Sequence, residues 1–195
     1  HHLPGMGEGK RLAKLVDNLL DISRISAGRI DLDLEAVELV SLARNVTVRF
    51  QQEMTQAGCT LGFHAAGPVI GRWDPIRVEQ IVTNLLSNAV KYGAGKPIDV
   101  TVEGDDRVGR IVVRDHGIGI APESQARIFE RFERAVSERH YGGFGLGLWI
   151  VRKIVDAFGG TIRVESAPGR GATFTVELPR APAVSAARDD ADRKE

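Results

Sequence analysis

Four short motifs in a fixed order constrain this chain more than any bulk property does. They are Asn84-Leu85-Leu86-Ser87-Asn88-Ala89-Val90-Lys91-Tyr92, Asp115-His116-Gly117-Ile118-Gly119, Phe129-Glu130-Arg131-Phe132 and Gly143-Phe144-Gly145-Leu146-Gly147-Leu148. Each alone is weak, because an amide-rich helix or a glycine turn has many structural uses. Chance rarely supplies all four in sequence at domain-sized spacing.

The first motif sits on a predicted helix opened by Asp74-Pro75, with Asp74 as N-cap and Pro75 in the first turn, where its missing N–H costs nothing. At about 100° per residue, Asn84, Asn88 and Lys91 share one narrow face, while Ile81, Val82, Leu85, Leu86 and Ala89 cover the other. An amide oxygen is a competent neutral ligand for Mg²⁺, and a lysine one turn on can meet a phosphate. Taken alone the stripe would be a solvated polar face; paired with the downstream glycines it suits a metal–triphosphate.

Asp115 ends a predicted strand immediately before Gly117 and Gly119. There a carboxylate can accept from an exocyclic amine while side-chain-free backbone lets a flat base approach, which suits adenine; an Asp-initiated turn is the plainer use of the same residues. Gly143, Gly145 and Gly147 precede a predicted helix over Gly145 to Phe158, whose N-terminal N–H groups would point at an anion, unless the glycines serve only as a hinge. Two familiar phosphate motifs fail on spacing. A Walker loop ending at Gly9-Lys10 would need glycine and Ser or Thr where Pro4 and Arg11 stand, and the dinucleotide fingerprint would need glycine at Leu148.

The remaining pattern reads as follows. Leu12, Leu15, Val16, Leu19, Ile22 and Ile25 mark an amphipathic helix with a coiled-coil-like seam between Lys10 and Ala27, stopped by Gly28. An extended stretch from Ile30 to Leu34 leads into a second helix from about Val37 to Ala57, then strands over Cys59 to His64 and Val69 to Trp73. Val100 to Glu103 and Arg110 to Val113 form a hairpin around Gly104-Asp105-Asp106, with Gly109 blurring the second strand's start. Glu133 to Gly142 reads as a polar mobile loop, and Thr161 to Glu165 pairs with Thr173 to Leu178 across Pro168-Gly169-Arg170-Gly171. Ala181 to Glu195 reads as a disordered tail.

Together these residues resemble the catalytic ATP-binding domain of two-component sensor histidine kinases, in the superfamily of gyrase, mismatch-repair and heat-shock chaperone ATPases. The resemblance covers roughly Ile30 to Leu178. It implies an α/β two-layer sandwich, with a mixed, mainly antiparallel sheet, helices on one face and one preceding amphipathic helix. It implies ATP and Mg²⁺ as cofactors. Asn84 to Tyr92 would be the N-box, with Asn88 as Mg²⁺ ligand, Lys91 near phosphate and Tyr92 beside the base. Asn84, Asn88 and Lys91 would be the catalytic set. Asp115 would bind the adenine amine, with Gly117 and Gly119 in the first glycine box. Phe129 and Phe132 match the F-box, Arg131 and Arg134 are further cations for the phosphates, and Gly143, Gly145, Leu146, Gly147 and Leu148 form the second glycine box behind an ATP lid. Gly169 to Phe174 resembles the last glycine-rich box and puts Thr173 near the pocket floor.

Asn84 bears on the reaction. In the superfamily's hydrolases its place is typically glutamate, which activates water, whereas a neutral amide is no general base at physiological pH. The expectation is phosphoryl transfer rather than hydrolysis. The acceptor is missing, however: Lys10 to Gly28 resembles only the second helix of the dimerisation hairpin. The phosphoacceptor motif needs an acidic residue right after its histidine, yet His1, His2, His64, His116 and His140 precede His, Leu, Ala, Gly and Tyr. The expected partners are therefore ATP, a histidine-bearing dimerisation helix of the parent kinase, a response-regulator receiver domain, and a second copy in the intact homodimer. A nucleotide-binding regulatory or scaffold module without phosphotransfer is the alternative, and an interaction protein built on the Leu12 to Ile25 seam is a third reading.

Bulk properties agree. Lys+Arg and Asp+Glu both total 26 in 195 residues, so no net field attracts a nucleic acid or an anionic membrane surface. One cysteine, Cys59, excludes an internal disulfide and fits a reducing compartment, with a small core residue as its plain role. No run approaches the roughly 20 apolar residues of a bilayer crossing. The chain reads as cytoplasmic, with 1–9 as an appended remnant or linker, 10–28 the partial hairpin, 30–180 the catalytic domain and 181–195 the tail. The parent is open to membrane anchoring.

Overall fold

The structure, a computed structural model, describes Ser23, Ile25, Gly28 and residues 30–130 and 147–182. The chain divides into two units, His1–Asp31 and Leu32–Glu195. In the first, Ser23 and Ile25 are helical, and Gly28 adopts φ +74° with its N–H donating to the Ile25 carbonyl at 3.0 Å. That left-handed turn is the stop a glycine supplies after a helix. The rest of the predicted N-terminal helix and the tail beyond Pro182 lie outside the described residues.

The second unit opens with β1 (Glu35–Glu38), α1 (Leu39–Arg49) and α2 (Gln51–Gln56). This differs from the single predicted helix from Val37 to Ala57. The Glu38 carboxylate accepts from the N–H groups of Val40 at 2.7 Å and Ser41 at 3.2 Å, so the helix starts only after Glu38, and the four preceding residues pair antiparallel with β3 (Ile70–Trp73). At Phe50 the helix breaks where one N–H is shared between the Val46 and Thr47 carbonyls, at 3.2 and 3.1 Å. Cys59 also belongs to a turn rather than a strand. Its N–H closes α2 by donating to Met54 O at 2.8 Å, and β2 runs over Leu61–Ala65.

Next come α3 (Pro75–Tyr92), β4 (Ile98–Gly104), β5 (Val108–Arg114), the short α4 (Pro122–Gln125), α5 (Gly147–Ala157), β6 (Thr161–Ser166) and β7 (Ala172–Pro179). Five strands form one sheet in the order β2-β4-β5-β7-β6, parallel between β2 and β4 and antiparallel elsewhere. Period-two alternation decides its faces. Ile98, Val100 and Val102 on β4, Ile111 and Val113 on β5, and Phe174, Val176 and Leu178 on β7 are buried under the helices. α3 buries Val78, Ile81, Leu85 and Leu86, and α5 buries Val151, Ile154 and Val155. The other sheet face carries charges matched across strands: the Arg110 guanidinium lies 3.1 Å from Glu103 and 3.5 Å from Glu177, and Arg163 lies 2.9 Å from Glu177. Among the described residues of this unit the helices thus pack on one face of the sheet, in the two-layer sandwich that the resemblance implies.

Trp73 joins the small ribbon to the large sheet. It is fully buried, and its indole N–H donates to Pro179 O at 2.8 Å. Gly109 lies inside β5 for a steric reason, since a Cβ there would come within 2.9 Å of Leu39 and 3.0 Å of the Trp73 ring.

Candidate nucleotide site

The site gathers at the C-terminal half of α3, the loop after β5, and the start of α5. Asp74 caps α3 as expected, accepting from Ile76 N–H at 3.1 Å and Arg77 N–H at 3.4 Å, and its second oxygen takes the Asp33 N–H at 3.1 Å. With the helix start set by Asp74-Pro75, the polar stripe falls opposite the buried face: Asn84 and Asn88 are half-buried and Lys91 is exposed. Asn84 donates its side-chain amide to Gln80 O at 2.8 Å, which leaves its oxygen as the outward group. A Cβ on Gly147 would sit 3.7 Å from that oxygen, so the first residue of α5 faces Asn84. The first described turn of α5 therefore lies beside the amide stripe.

Asp115 is 3% exposed. Its Oδ1 accepts from Gly117 N–H at 3.0 Å and from Ala172 N–H at 3.3 Å, while no donor among the described residues engages Oδ2. Burial raises its pKa above the ordinary carboxylate range, against the opposing pull of those two hydrogen bonds and of His116. A carboxylate held by one oxygen with the other available is equipped to accept from a donor that enters the site.

The glycines of this loop have a packing use: they let backbone pack on backbone. A Cβ on Gly117 would overlap the Tyr92 carbonyl and approach Gly93 Cα to 2.7 Å, and one on Gly119, whose φ is +73°, would overlap the Ala167 carbonyl. The loop is clamped from both sides: Ile118 N–H donates to Tyr92 O at 3.2 Å, Gly169 N–H to Ile118 O at 2.7 Å, and Gly171 N–H to Gly117 O at 3.1 Å. The end of α3, the Asp115 loop and the turn between β6 and β7 thus become one unit.

Thr173 requires correction. The register pairs it with Arg114 and Glu165, whose side chains occupy the sheet face away from the helices. Alternation places Ala172, not Thr173, beside Asp115; the glycine-rich motif located the turn but was read one residue off. Gly147 and Leu148 lie in the first described turn of α5, which was expected to run from Gly145 to Phe158, whereas Arg131, Phe132, Arg134, Gly143, Gly145 and Leu146 lie outside the described residues. Phe129 is buried edge-on to Phe174, with ring centroids 6.2 Å apart, beneath the Arg152 guanidinium. Sequence reading missed Ser166 and Gln125, which hold the Asp115 loop from behind; no motif contains them.

The donor set constrains any metal. Among the described residues no group of three or more His, Cys, Asp or Glu could hold an ion. The amide oxygens of Asn84 and Asn88 are weak ligands on their own, but they fit Mg²⁺, which commonly takes one or two protein oxygens together with substrate phosphates.

The comparisons agree with this geometry. The profile of the family described as histidine kinase-, DNA gyrase B- and HSP90-like ATPase matches residues 73–182. The sensor protein SrrB of Staphylococcus aureus is 32% identical over 178 residues, which make up 90% of this chain and 30% of SrrB. The chain therefore spans under a third of that curated relative. The crystal structure of full-length ShkA in complex with AMPPNP superposes with a TM-score of 0.78 at 33% identity, covering 91% of this chain and 37% of ShkA. The nucleotide-free catalytic domain of the histidine kinase ThkA gives 0.69 at 29% identity, covering 77% of this chain and 99% of that domain. No helix among the described residues is long and apolar enough to cross a membrane. With its nucleotide-type site assembled on the fold of those catalytic domains, the chain belongs to the histidine kinase-, DNA gyrase B- and HSP90-like ATPase family, with sensor histidine kinases as its relatives.

Proposed function

We propose that this chain binds Mg²⁺–ATP and donates the γ-phosphoryl group to a histidine on a dimerisation helix of its parent kinase, for onward transfer to a response-regulator aspartate. The observation that carries the reading is Asp115, buried and held by Oδ1, on a loop clamped to the end of the helix that bears Asn84 and Asn88. In this reading Asp115 Oδ2 accepts the adenine exocyclic amine. The phosphates run toward the N-terminus of α5 and toward Lys91, and the oxygens of Asn88 and Asn84 hold the cation. Mg²⁺, when bound, supplies neutralisation of phosphate charge. Catalysis rests on positioning and electrostatics, as expected where the transferred group does little covalent chemistry with the protein.

Asn84 separates transfer from hydrolysis. Its amide is committed to Gln80 O and carries no titratable proton, so it cannot activate water as a glutamate would. Residues 10–28 belong, in this proposal, to the second helix of the dimerisation hairpin, 30–180 to the catalytic domain and 181–195 to a tail. This chain works in the cytoplasm as part of a homodimeric parent kinase that is open to membrane anchoring.

Calorimetric titration with AMPPNP, with and without Mg²⁺, tests the pocket. Saturable binding lost in Asp115→Ala, with Asn88→Ala removing mainly the Mg²⁺ dependence, supports the reading. Absence of binding by the unaltered chain rejects it. Adding the histidine-bearing hairpin in trans then separates kinase from regulatory module: acid-labile, alkali-stable phosphate on the hairpin marks transfer, and none of it should form on this chain alone.

A further inference from the structure

The loop that carries Asp115 is tied down from behind by two side chains outside every motif. Ser166, the last residue of β6, accepts the Ile120 N–H on its hydroxyl oxygen at 2.8 Å and donates that hydroxyl to Gly171 O at 2.6 Å. Gln125, the last residue of α4, donates its side-chain amide to two carbonyls at once, Ile120 O at 3.0 Å and Ser166 O at 2.8 Å. Both polar groups of the Ile120 backbone are therefore occupied by the pair. Gly171 carries the linkage onward: its N–H donates to Gly117 O at 3.1 Å, and a Cβ on it would overlap the Asp115 carbonyl.

The consequence for Asp115 is geometric. Its Oδ1 is oriented by two donors from different segments, Gly117 in the loop and Ala172 at the start of β7. The direction of Oδ2 therefore depends on the spacing between those segments, and the Gln125–Ser166 clasp sets that spacing by joining Ile120, Ser166 and Gly171. We propose that Gln125 and Ser166 are positioning residues that set the base specificity of the site, by holding the two donors that aim the Asp115 carboxylate. The proposal rests on the reading that Asp115 accepts the adenine amine. A guanine base presents a carbonyl oxygen at that position and would be repelled by a correctly aimed carboxylate.

The test compares AMPPNP with GMPPNP, each with Mg²⁺, on the full chain carrying Gln125→Leu or Ser166→Ala. Each variant removes two of the clasp's hydrogen bonds without adding a heavy atom to the side chain. Trp73→Phe serves as the control, because it loosens the opposite end of β5. The expected result is a preference for AMPPNP that falls about tenfold in both clasp variants and stays constant in the control. The Gly117 and Ala172 amide resonances should shift in the clasp variants without nucleotide. Clasp variants that melt earlier yet keep the full preference and unmoved amides overturn the proposal, leaving a purely structural clasp. An unaltered chain that binds both nucleotides equally overturns the adenine reading and the proposal together, so the two failures are distinguishable.

Discussion

Ala172 donates its N–H to Asp115 Oδ1 across 3.3 Å, although 57 residues separate the two in the chain. The contact exists because β5 ends beside the start of its antiparallel neighbour β7, and it fixes one oxygen of a buried carboxylate whose other oxygen faces no donor among the described residues. The site is thus prepared in the unliganded fold, at some cost in stability.

That cost should be measurable. Burial holds the Asp115 carboxyl above its ordinary pKa, so ionising it in the fold is unfavourable. A group of this kind contributes its full stability below the unfolded value of about 4 and loses it as pH rises through the folded value. Asp115→Asn keeps an acceptor for Gly117 and Ala172 while removing the charge. Its melting temperature should exceed the wild type's at pH 7, by about 2–4 °C for each kcal/mol relieved, and the gap should close toward pH 4. AMPPNP affinity should fall in the same variant. Thermal melts across pH beside calorimetry check both, and a variant less stable than wild type at pH 7 would contradict the argument.

Glu38 should show the opposite sign. Burial raises its pKa, but hydrogen bonds from Val40, Val69 and Ser41 outweigh that and leave it below the ordinary value. Its stabilisation is present above the unfolded value of about 4.3 and is lost as pH falls through the folded value. Glu38→Gln should lower stability by about 1 kcal/mol at pH 7, with less difference at low pH. Denaturant melts at the two pH values decide it.

Glycine substitutions should separate contact from conformation. Alanine at Gly117 places a Cβ against the Tyr92 carbonyl and forces the loop off α3, an overpacking cost of about 1–3 kcal/mol with loss of AMPPNP binding. Gly169 adopts φ +76° but has open space around a Cβ, so Gly169→Ala should cost about 1–2 kcal/mol for the left-handed backbone alone and keep binding. Equal loss of binding in both variants would refute the distinction.

Trp73→Phe removes a buried indole whose N–H bonds Pro179 O and leaves that acceptor unpaired under the ribbon. A loss of about 1–3 kcal/mol is expected, with nucleotide affinity unchanged because Trp73 meets the sheet at the far end of β5 from Asp115. Urea denaturation and calorimetry on the same sample provide the two numbers.

Within α3, where a cap and the helical period are the deciding interactions, the sequence alone determined the outcome. Asp74-Pro75 set the start of α3, and its spacing then placed Asn84 and Asn88 opposite Ile81, Leu85 and Leu86, because capping and the helical period act within a few residues. Order and residue type in the motifs likewise identified the family. Tertiary structure decided what depended on register and long-range pairing. It separated β1 from α1 through Glu38 and β3, and placed Thr173 on the far sheet face. It also brought Ala172 to Asp115 and assembled Gln125, Ser166, Ile120 and Gly171 into a clasp. A one-residue shift in a strand exchanges its two faces, and a hydrogen bond across some fifty residues leaves no periodic trace in the chain, so neither could be read before the strands were paired.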